Sequence, residues 1–289
     1  MTGQQKTSLG ERLKSDEILI APGVFEMISA RTADRKGFEA LYMTGYGVVA
    51  SYLGLPDAGI ASYTQMLDRV AQIVDGTTTP LIADADTGYG GLLNIRETVR
   101  GYEAAGAAGI QIEDQEFPKK CGHTPGKKIV SQEEMVRRIQ VAAESRRNDD
   151  TLIIARTDAR AVNGLDDALR RAEACAKAGA DVLFVEAPTS EAEMEQICRS
   201  FDTPQLINVV DGGLTPVLSR ERYQEIGYSV AIYPATGFLA AAQAFDSVYG
   251  ALKNQGDSTS VQELLFPFPE MSKLMGFEDV WEFDKNHAG

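Results

Sequence analysis

Positive charge is scarce in this chain: 28 lysines and arginines stand against 42 aspartates and glutamates in 289 residues, a net charge of −14. Nucleic acid and anionic membrane surfaces both need a basic footprint. Neither is an expected partner, and an anionic ligand requires a local positive site. Cysteine is scarce as well. The three present, at 121, 175 and 198, are odd in number and widely spaced, which gives neither a disulfide framework nor a paired zinc signature. No apolar run approaches the roughly 18 residues of a membrane span, and the opening MTGQQKTSLGERLKSDE is too polar for a signal peptide. The expected location is the cytoplasm.

What is present is a rhythm. Short apolar runs recur at 17–23, 40–45, 80–86, 109–115, 152–158, 181–188, 204–211 and 228–235, most of them ending in polar or charged residues. Between them lie stretches of helical periodicity at 62–75, 93–105, 131–146, 166–178, 190–201 and 219–226. Strands alternating with helices of this length predict βαβ units, a parallel sheet and a (β/α)8 TIM-type barrel, whose active site lies at the C-terminal ends of the strands. Ser131 followed by Glu134 has the spacing of a capping box, and Ser190 precedes an acidic first turn. A length of 289 residues with 44% hydrophobic content suits one large α/β domain as well as two small ones. Beyond residue 250 the pattern changes to prolines, aromatics and no strand. The reading is a catalytic barrel over 1–250 and a helical extension over 251–289, packed on a neighbouring subunit and exchangeable with it.

The densest chemistry lies at the third strand, which ends Asp84-Ala-Asp86-Thr-Gly-Tyr-Gly. Strand alternation sends Asp84 and Asp86 to one face, and at this end of a barrel that face is the mouth. The next strand ends Glu113-Asp114-Gln115, and Asp57 follows the second. Single acids of this kind cap helices or pair with arginines; several at the ends of consecutive strands call for a cation. With no histidine beside them they suit Mg2+ or Mn2+ rather than Zn2+. After strand four comes Lys119-Lys-Cys121-Gly-His123, then Gly126 and two more lysines. These neighbours are expected to lower the Cys121 pKa, making it a nucleophile or an acid/base group. Cys175 and Cys198 fall among apolar helix residues and read as core. Strand five brings Arg156 to the mouth, with Asp158 to pair with it or with Arg160. Strand six brings Glu186, strand seven Asn208, and strand eight Pro234 and Thr236. Together these residues describe a site for a small, multiply oxygenated anion on a divalent metal.

The segments Asp84 to Gly90, Ile112 to Gln115, Lys119 to His123, Ala155 to Ala159 and Phe184 to Ala187 resemble the isocitrate lyase/phosphoenolpyruvate mutase superfamily, in order, from about residue 22 to 251. In that superfamily the lyases carry a K-[KR]-C-G-H loop and the phosphonate-forming mutases do not, so the resemblance implies carbon–carbon cleavage. Methylisocitrate lyases usually read S-G-G in the loop after strand two. Here it is Thr44-Gly45-Tyr46-Gly47, similar to the 2,3-dimethylmalate lyase and oxaloacetate-processing branch. A ring at Tyr46 narrows the pocket toward a dicarboxylate.

The resemblance also implies roles. Asp84 is the principal metal ligand, with Asp57, Asp86 and Glu113 acting through water. Thr44, the amides of Gly45 and Tyr46, and Arg156 hold the C2 end of a 2-hydroxy or 2-oxo carboxylate. Cys121 delivers a proton to the departing acid, and Lys119, His123 and Glu186 order the closing loop. Arg156, Glu186, Asn208 and Thr236 read the second carboxylate or its neighbourhood, and Pro234 is a further substrate-binding residue. It implies a homo-oligomer, a tetramer built as a dimer of dimers. The alternative class, a barrel that binds a metabolite without turning it over, is opposed by the intact set of Asp84, Glu113, Cys121, Arg156 and Glu186.

Overall fold

The computed structural model describes residues 8–287. Eight parallel strands, β1 (Leu19–Val24), β2 (Leu41–Met43), β3 (Leu81–Asp84), β4 (Gly109–Glu113), β5 (Leu152–Thr157), β6 (Val182–Val185), β7 (Leu206–Asn208) and β8 (Val230–Tyr233), pair in sequence order, with β8 also paired to β1. Between β6 and β7 the barrel is joined at a single bridge, Leu183 to Gln205. This is the (β/α)8 architecture read from the eight apolar runs.

Helices form at the six stretches the sequence marks, and also at Met27–Asp34 and Gly45–Leu53, which it does not mark. Ser62, Ser131, Ser190 and Ser219 each accept a hydrogen bond from the amide three residues on, satisfying one of the donors a helix start leaves open. The box expected at Ser131 is half made, because the Glu134 carboxylate turns forward to Arg138 at 2.7 Å instead of back to the cap. In Tyr63–Gly76 the buried residues Met66, Val70 and Ile73 repeat at helical spacing and face the sheet. The core inside the barrel includes Leu19, Ala21, Tyr42, Ile82, Ile154, Val182, Phe184, Leu206, Val230 and Ile232, with Leu9 and Leu13 of the N-terminal segment packed among them. Burying side chains of this kind stabilises by roughly 1.5–3 kcal/mol each.

By internal contacts the chain divides into Met1–Gly237 and Phe238–Gly289, and residue 250 falls within the helix Thr236–Gln255 that spans this division. The second unit continues through a 3-10 turn, Thr259–Leu264, to the helices Phe268–Leu274 and Phe277–His287. Its aromatic residues stay largely outside any core: Phe245, Tyr249, Trp281 and Phe283 are exposed, and Phe268 is 82% exposed. Among the described residues no helix is long and apolar enough to cross a membrane.

Candidate active site

The two-residue period of a strand decides which residues line the mouth. On β5, Leu152 and Ile154 belong to the apolar interior, so Arg156 points inward one step higher; on β7, Leu206 precedes Asn208 in the same way. Ile82 leads to Asp84 on β3, and Val182 and Phe184 lead to Glu186 just beyond β6. Register brings Glu113 beside Arg156 and Gln111 beside Asp84.

Asp84 is held by one oxygen. Its Oδ1 accepts from the Asp86 amide at 3.0 Å and from Gln111 Nε2 at 3.2 Å, and Gln111 is itself fixed by the Tyr42 hydroxyl at 2.9 Å. Oδ2 faces Gly45, where an added β-carbon would lie 2.6 Å away; only glycine leaves that oxygen room. Lys119 bridges the neighbouring acids, with Nζ 2.5 Å from Asp57 and 2.6 Å from Asp86. Burial alone would lower the Lys119 pKa, but Asp86, Asp57, Asp84 and Glu113 reverse that and hold it well above the ordinary lysine value. Burial pushes Asp86 up to about 6 against the pull of Lys119, and raises Glu113 well above the carboxylate range. Glu113 Oε1 is buried without a hydrogen-bond partner, a costly arrangement for a carboxylate unless something cationic or protic meets it.

These acids fit a divalent ion held by water as much as by protein. Among the described residues no three His, Cys, Asp or Glu side chains gather closely enough to chelate an ion by themselves. One outward carboxylate oxygen on Asp84, with Asp57, Asp86 and Glu113 around it, is a donor set for a hard cation that keeps its waters and adds substrate oxygens.

On the other side Arg156 is the hub. Its guanidinium donates to both oxygens of Asp158 at 3.0 and 3.2 Å, lies 3.4 Å from Glu113 and 3.7 Å from Glu186, and stacks on the Phe184 ring at 5.2 Å. Burial would raise the Asp158 pKa, but Arg156 and Lys127 pull it down to about 2. The loop 119–127 closes over this hub. Gly122 sits so tightly that a β-carbon there would be 2.4 Å from Arg156 Nη2 and 2.7 Å from Glu186. His123 Nε2 lies 3.0 Å from Glu186, and its Nδ1 accepts from the Leu214 amide at 3.1 Å. With Nδ1 an acceptor, the ring proton of neutral His123 faces Glu186.

Three expectations are corrected. Asp86 does not reach the mouth by strand alternation: β3 ends at Asp84, and Asp86 turns with a left-handed backbone, φ 48°, which aspartate tolerates. The Cys121 thiol is raised rather than lowered; burial is the main cause, and its neighbours are engaged elsewhere, Lys119 with Asp57 and Asp86, His123 with Glu186. The segment after strand two is not a loop but the helix Gly45–Leu53, capped by the Thr44 hydroxyl. Tyr46 is exposed on its first turn, Thr236 donates to Asp211 at 2.7 Å, and Pro234 packs beside Gly23. The remaining site residues come together. The sequence reading missed Gln111, although it lies two positions before Glu113 on the same face, and Lys127, hidden among four lysines of one loop.

The model for phosphoenolpyruvate phosphomutase matches residues 9–253. The chain belongs to that family. This family member is 44% identical over 278 residues to the 2,3-dimethylmalate lyase of Eubacterium barkeri, covering 96% of each chain. It is 40% identical over 276 residues to the 2-methylisocitrate lyase of Aeropyrum pernix, covering 96% of this chain and 89% of that one. Its fold superposes on the structure of an oxaloacetate acetylhydrolase bound to 3,3-difluorooxalacetate with a TM-score of 0.93 at 34% identity, over 98% of this chain and 97% of that one.

Proposed function

We propose that this protein is a Mg2+-dependent carbon–carbon lyase that cleaves a 2-hydroxy dicarboxylate of the 2,3-dimethylmalate type to pyruvate and propionate. The observation that carries the reading is the Lys119-Lys-Cys-Gly-His123 loop closed over Arg156 and Glu186 beside the Asp84 cluster. The likeness to a 2,3-dimethylmalate lyase supports the choice of substrate.

Asp84 would hold the ion directly, with Asp57, Asp86 and Glu113 reaching it through water; Mn2+ suits the same oxygens. Bound there, the ion supplies Lewis-acid polarisation at the C2 oxygen. The first-turn amides of Gly45 and Tyr46, which a helix leaves without internal partners, orient the C2 end together with Arg156. The C2 hydroxyl gives its proton to one of the surrounding carboxylates, the oxygen's electron pair closes to the C2 carbonyl as C2–C3 breaks, and the C2–C3 pair stays on the departing carboxylic acid, whose carbon then takes a proton. Cys121 would give it, and burial supports that role by keeping the sulfur protonated until it is needed. His123 and Gly122 close the site against water. Asn208, whose Nδ2 donates to both Glu186 oxygens at 3.2 Å, leaves a buried Oδ1 unpartnered for the substrate, with Pro234 and Thr236 bordering the second carboxylate.

The exposed aromatic residues of 238–289 support a homo-oligomer in which this unit packs on a second copy, in a tetramer of two dimers; sedimentation as a monomer at micromolar concentration would remove that part. Three free cysteines support a cytoplasmic setting.

The test is NMR of the products from 2,3-dimethylmalate, 2-methylisocitrate and oxaloacetate with Mg2+, for wild type and Cys121→Ser. Pyruvate and propionate from dimethylmalate, lost in the variant, is the expected result. Vigorous methylisocitrate cleavage without dimethylmalate cleavage overturns the substrate. Oxalate and acetate from oxaloacetate, the activity named for one structural neighbour, moves the enzyme to hydrolysis. Pyruvate from oxaloacetate alone, untouched by the variant, makes it a decarboxylase.

A further inference from the structure

The loop that carries Cys121 is pinned at several points, and one of them has no part in the chemistry above. Lys119 is fixed by Asp57 and Asp86, the Lys120 backbone by both ends of the Gln115 amide, and His123 by Glu186 and the Leu214 amide. The remaining tie is Lys127. Its side chain is only 4% exposed, whereas the flanking Lys120 and Lys128 are exposed residues. The ammonium donates in two directions: to the Gly122 carbonyl within its own loop, and to Asp158 Oδ1 at the end of β5, 2.9 Å away.

Asp158 connects this lysine to the hub. The carboxylate that receives Lys127 also receives Arg156 on both oxygens, and its own amide donates to Asp114 Oδ1 at 2.8 Å. Arg156 otherwise answers three carboxylates, Asp158, Glu113 and Glu186, with one positive charge. Lys127 brings a second cation to Asp158, so that the carboxylate against which the Arg156 guanidinium is oriented is itself held from the loop. With Gly122 packed against Arg156 and Glu186, a substrate gains access only when the loop lifts. Lifting it breaks the tie between Gly122 and Asp158 through which Lys127 acts.

We infer that Lys127 is a positioning residue that couples closure of the 119–127 loop to the orientation of Arg156. Its ammonium bonds to Asp158 and the Gly122 carbonyl, and it acts through them. The kinetic half of this inference rests on the lyase reading; the structural half does not, and the experiment separates them.

The experiment measures two things in Lys127→Met and Lys127→Arg. One is the rate at which iodoacetamide alkylates Cys121, read by peptide mass, which needs no substrate. The other is kcat and KM with the substrate that the product assay selects. Lys127→Met is expected to alkylate at least tenfold faster and to lose ten- to hundredfold in kcat with KM within threefold, while Lys127→Arg recovers most of both. Alkylation at the wild-type rate in Lys127→Met overturns the inference, as does equal damage from both substitutions. Faster alkylation in an enzyme with no turnover of any substrate keeps the latch and removes the lyase reading. A variant that fails to fold is bypassed by acetylating the lysines of the wild-type protein. Lys127 is then expected to react at least tenfold more slowly than Lys128, and equal reaction overturns the inference.

Discussion

At the N-terminal end of the barrel the inward positions include Leu19, Ile82, Ile154, Val182 and Val230, closed off by Leu9 and Leu13; at the C-terminal end β3 to β7 present Asp84, Glu113, Arg156, Glu186 and Asn208. Two residues of strand separate Ile82 from Asp84 and Ile154 from Arg156, and four separate Val182 from Glu186 with Phe184 between them. The lower layer releases free energy on burial, while the upper buries carboxylates and cations whose desolvation their mutual attraction only partly offsets. Phe184 is the seam, apolar below and stacked under Arg156 above. Cavity alone does not distinguish the ends. A cleft of about 410 Å³ opens at the N-terminal face beside Leu13, Cys198 and Tyr228, yet the charged constellation lies at the other. What the contrast teaches is a division of labour: stability is supplied below so that an electrostatically costly site can be held above.

Breaking the upper layer at its centre has the largest expected effect. Asp84→Asn keeps an oxygen for the Asp86 and Gln111 donors but removes the charge that would hold a cation. Turnover should fall at least 10³-fold, about 4 kcal/mol of barrier, with Tm unchanged or higher because repulsion within the acid cluster is relieved. Activity within tenfold of wild type would show that Asp84 does not hold a catalytic cation.

The reciprocal break is Ile154→Ala, one inward step below Arg156. Deleting a fully packed branched side chain costs about 2–5 kcal/mol, readable by urea unfolding, while turnover per folded molecule should stay within threefold. A large kcat loss at full stability would mean the layers are not separable.

How much of this division can be read from sequence follows from its periodicity. A strand has a fixed two-residue repeat, so apolar runs ending in Asp84, Glu113, Arg156 and Glu186 announce both the barrel and its mouth without any tertiary information. Where the chain leaves regular structure the repeat stops informing. Asp86 reaches the cluster by a left-handed turn, and the helix after Thr44 is too short and glycine-rich to show a period. Electrostatics is less legible still. Lysines beside Cys121 in sequence suggest a lowered thiol pKa, but the fold points Lys119 at Asp57 and Asp86 and buries the sulfur, and the sign reverses.

Gly122 sharpens the contrast by touching the upper layer alone. Gly122→Ala would place a methyl group against Arg156 and Glu186, both held by other partners, so the loop cannot seat. The expected result is a drop in kcat on the order of 10²-fold, about 2.7 kcal/mol of barrier, with unfolding free energy within about 0.5 kcal/mol of wild type. A stability loss as large as the kinetic one would show that loop closure is part of the fold rather than an addition to it.

The smallest effect belongs to the N-terminal face, at Asp34. Its Oδ1 accepts from the amides of Thr78 and Thr79 at 3.0 and 2.8 Å and from the Thr79 hydroxyl at 2.6 Å, tying the end of one helix to the segment that enters β3. Partial burial would raise its pKa, but the Thr79 hydroxyl and the two amides overcome this and lower it. A carboxyl lowered in the native state contributes stability that is fully present above its unfolded pKa, about 3.9, and that is lost as pH falls through the native value. Asp34→Ala should therefore cost about 1 kcal/mol at pH 7, with the difference from wild type shrinking below pH 4 and no change in kcat at any pH. A pH-independent difference would assign the cost to the helix end rather than to the charge, and a change in kcat would connect two ends of the barrel that the layers otherwise keep apart.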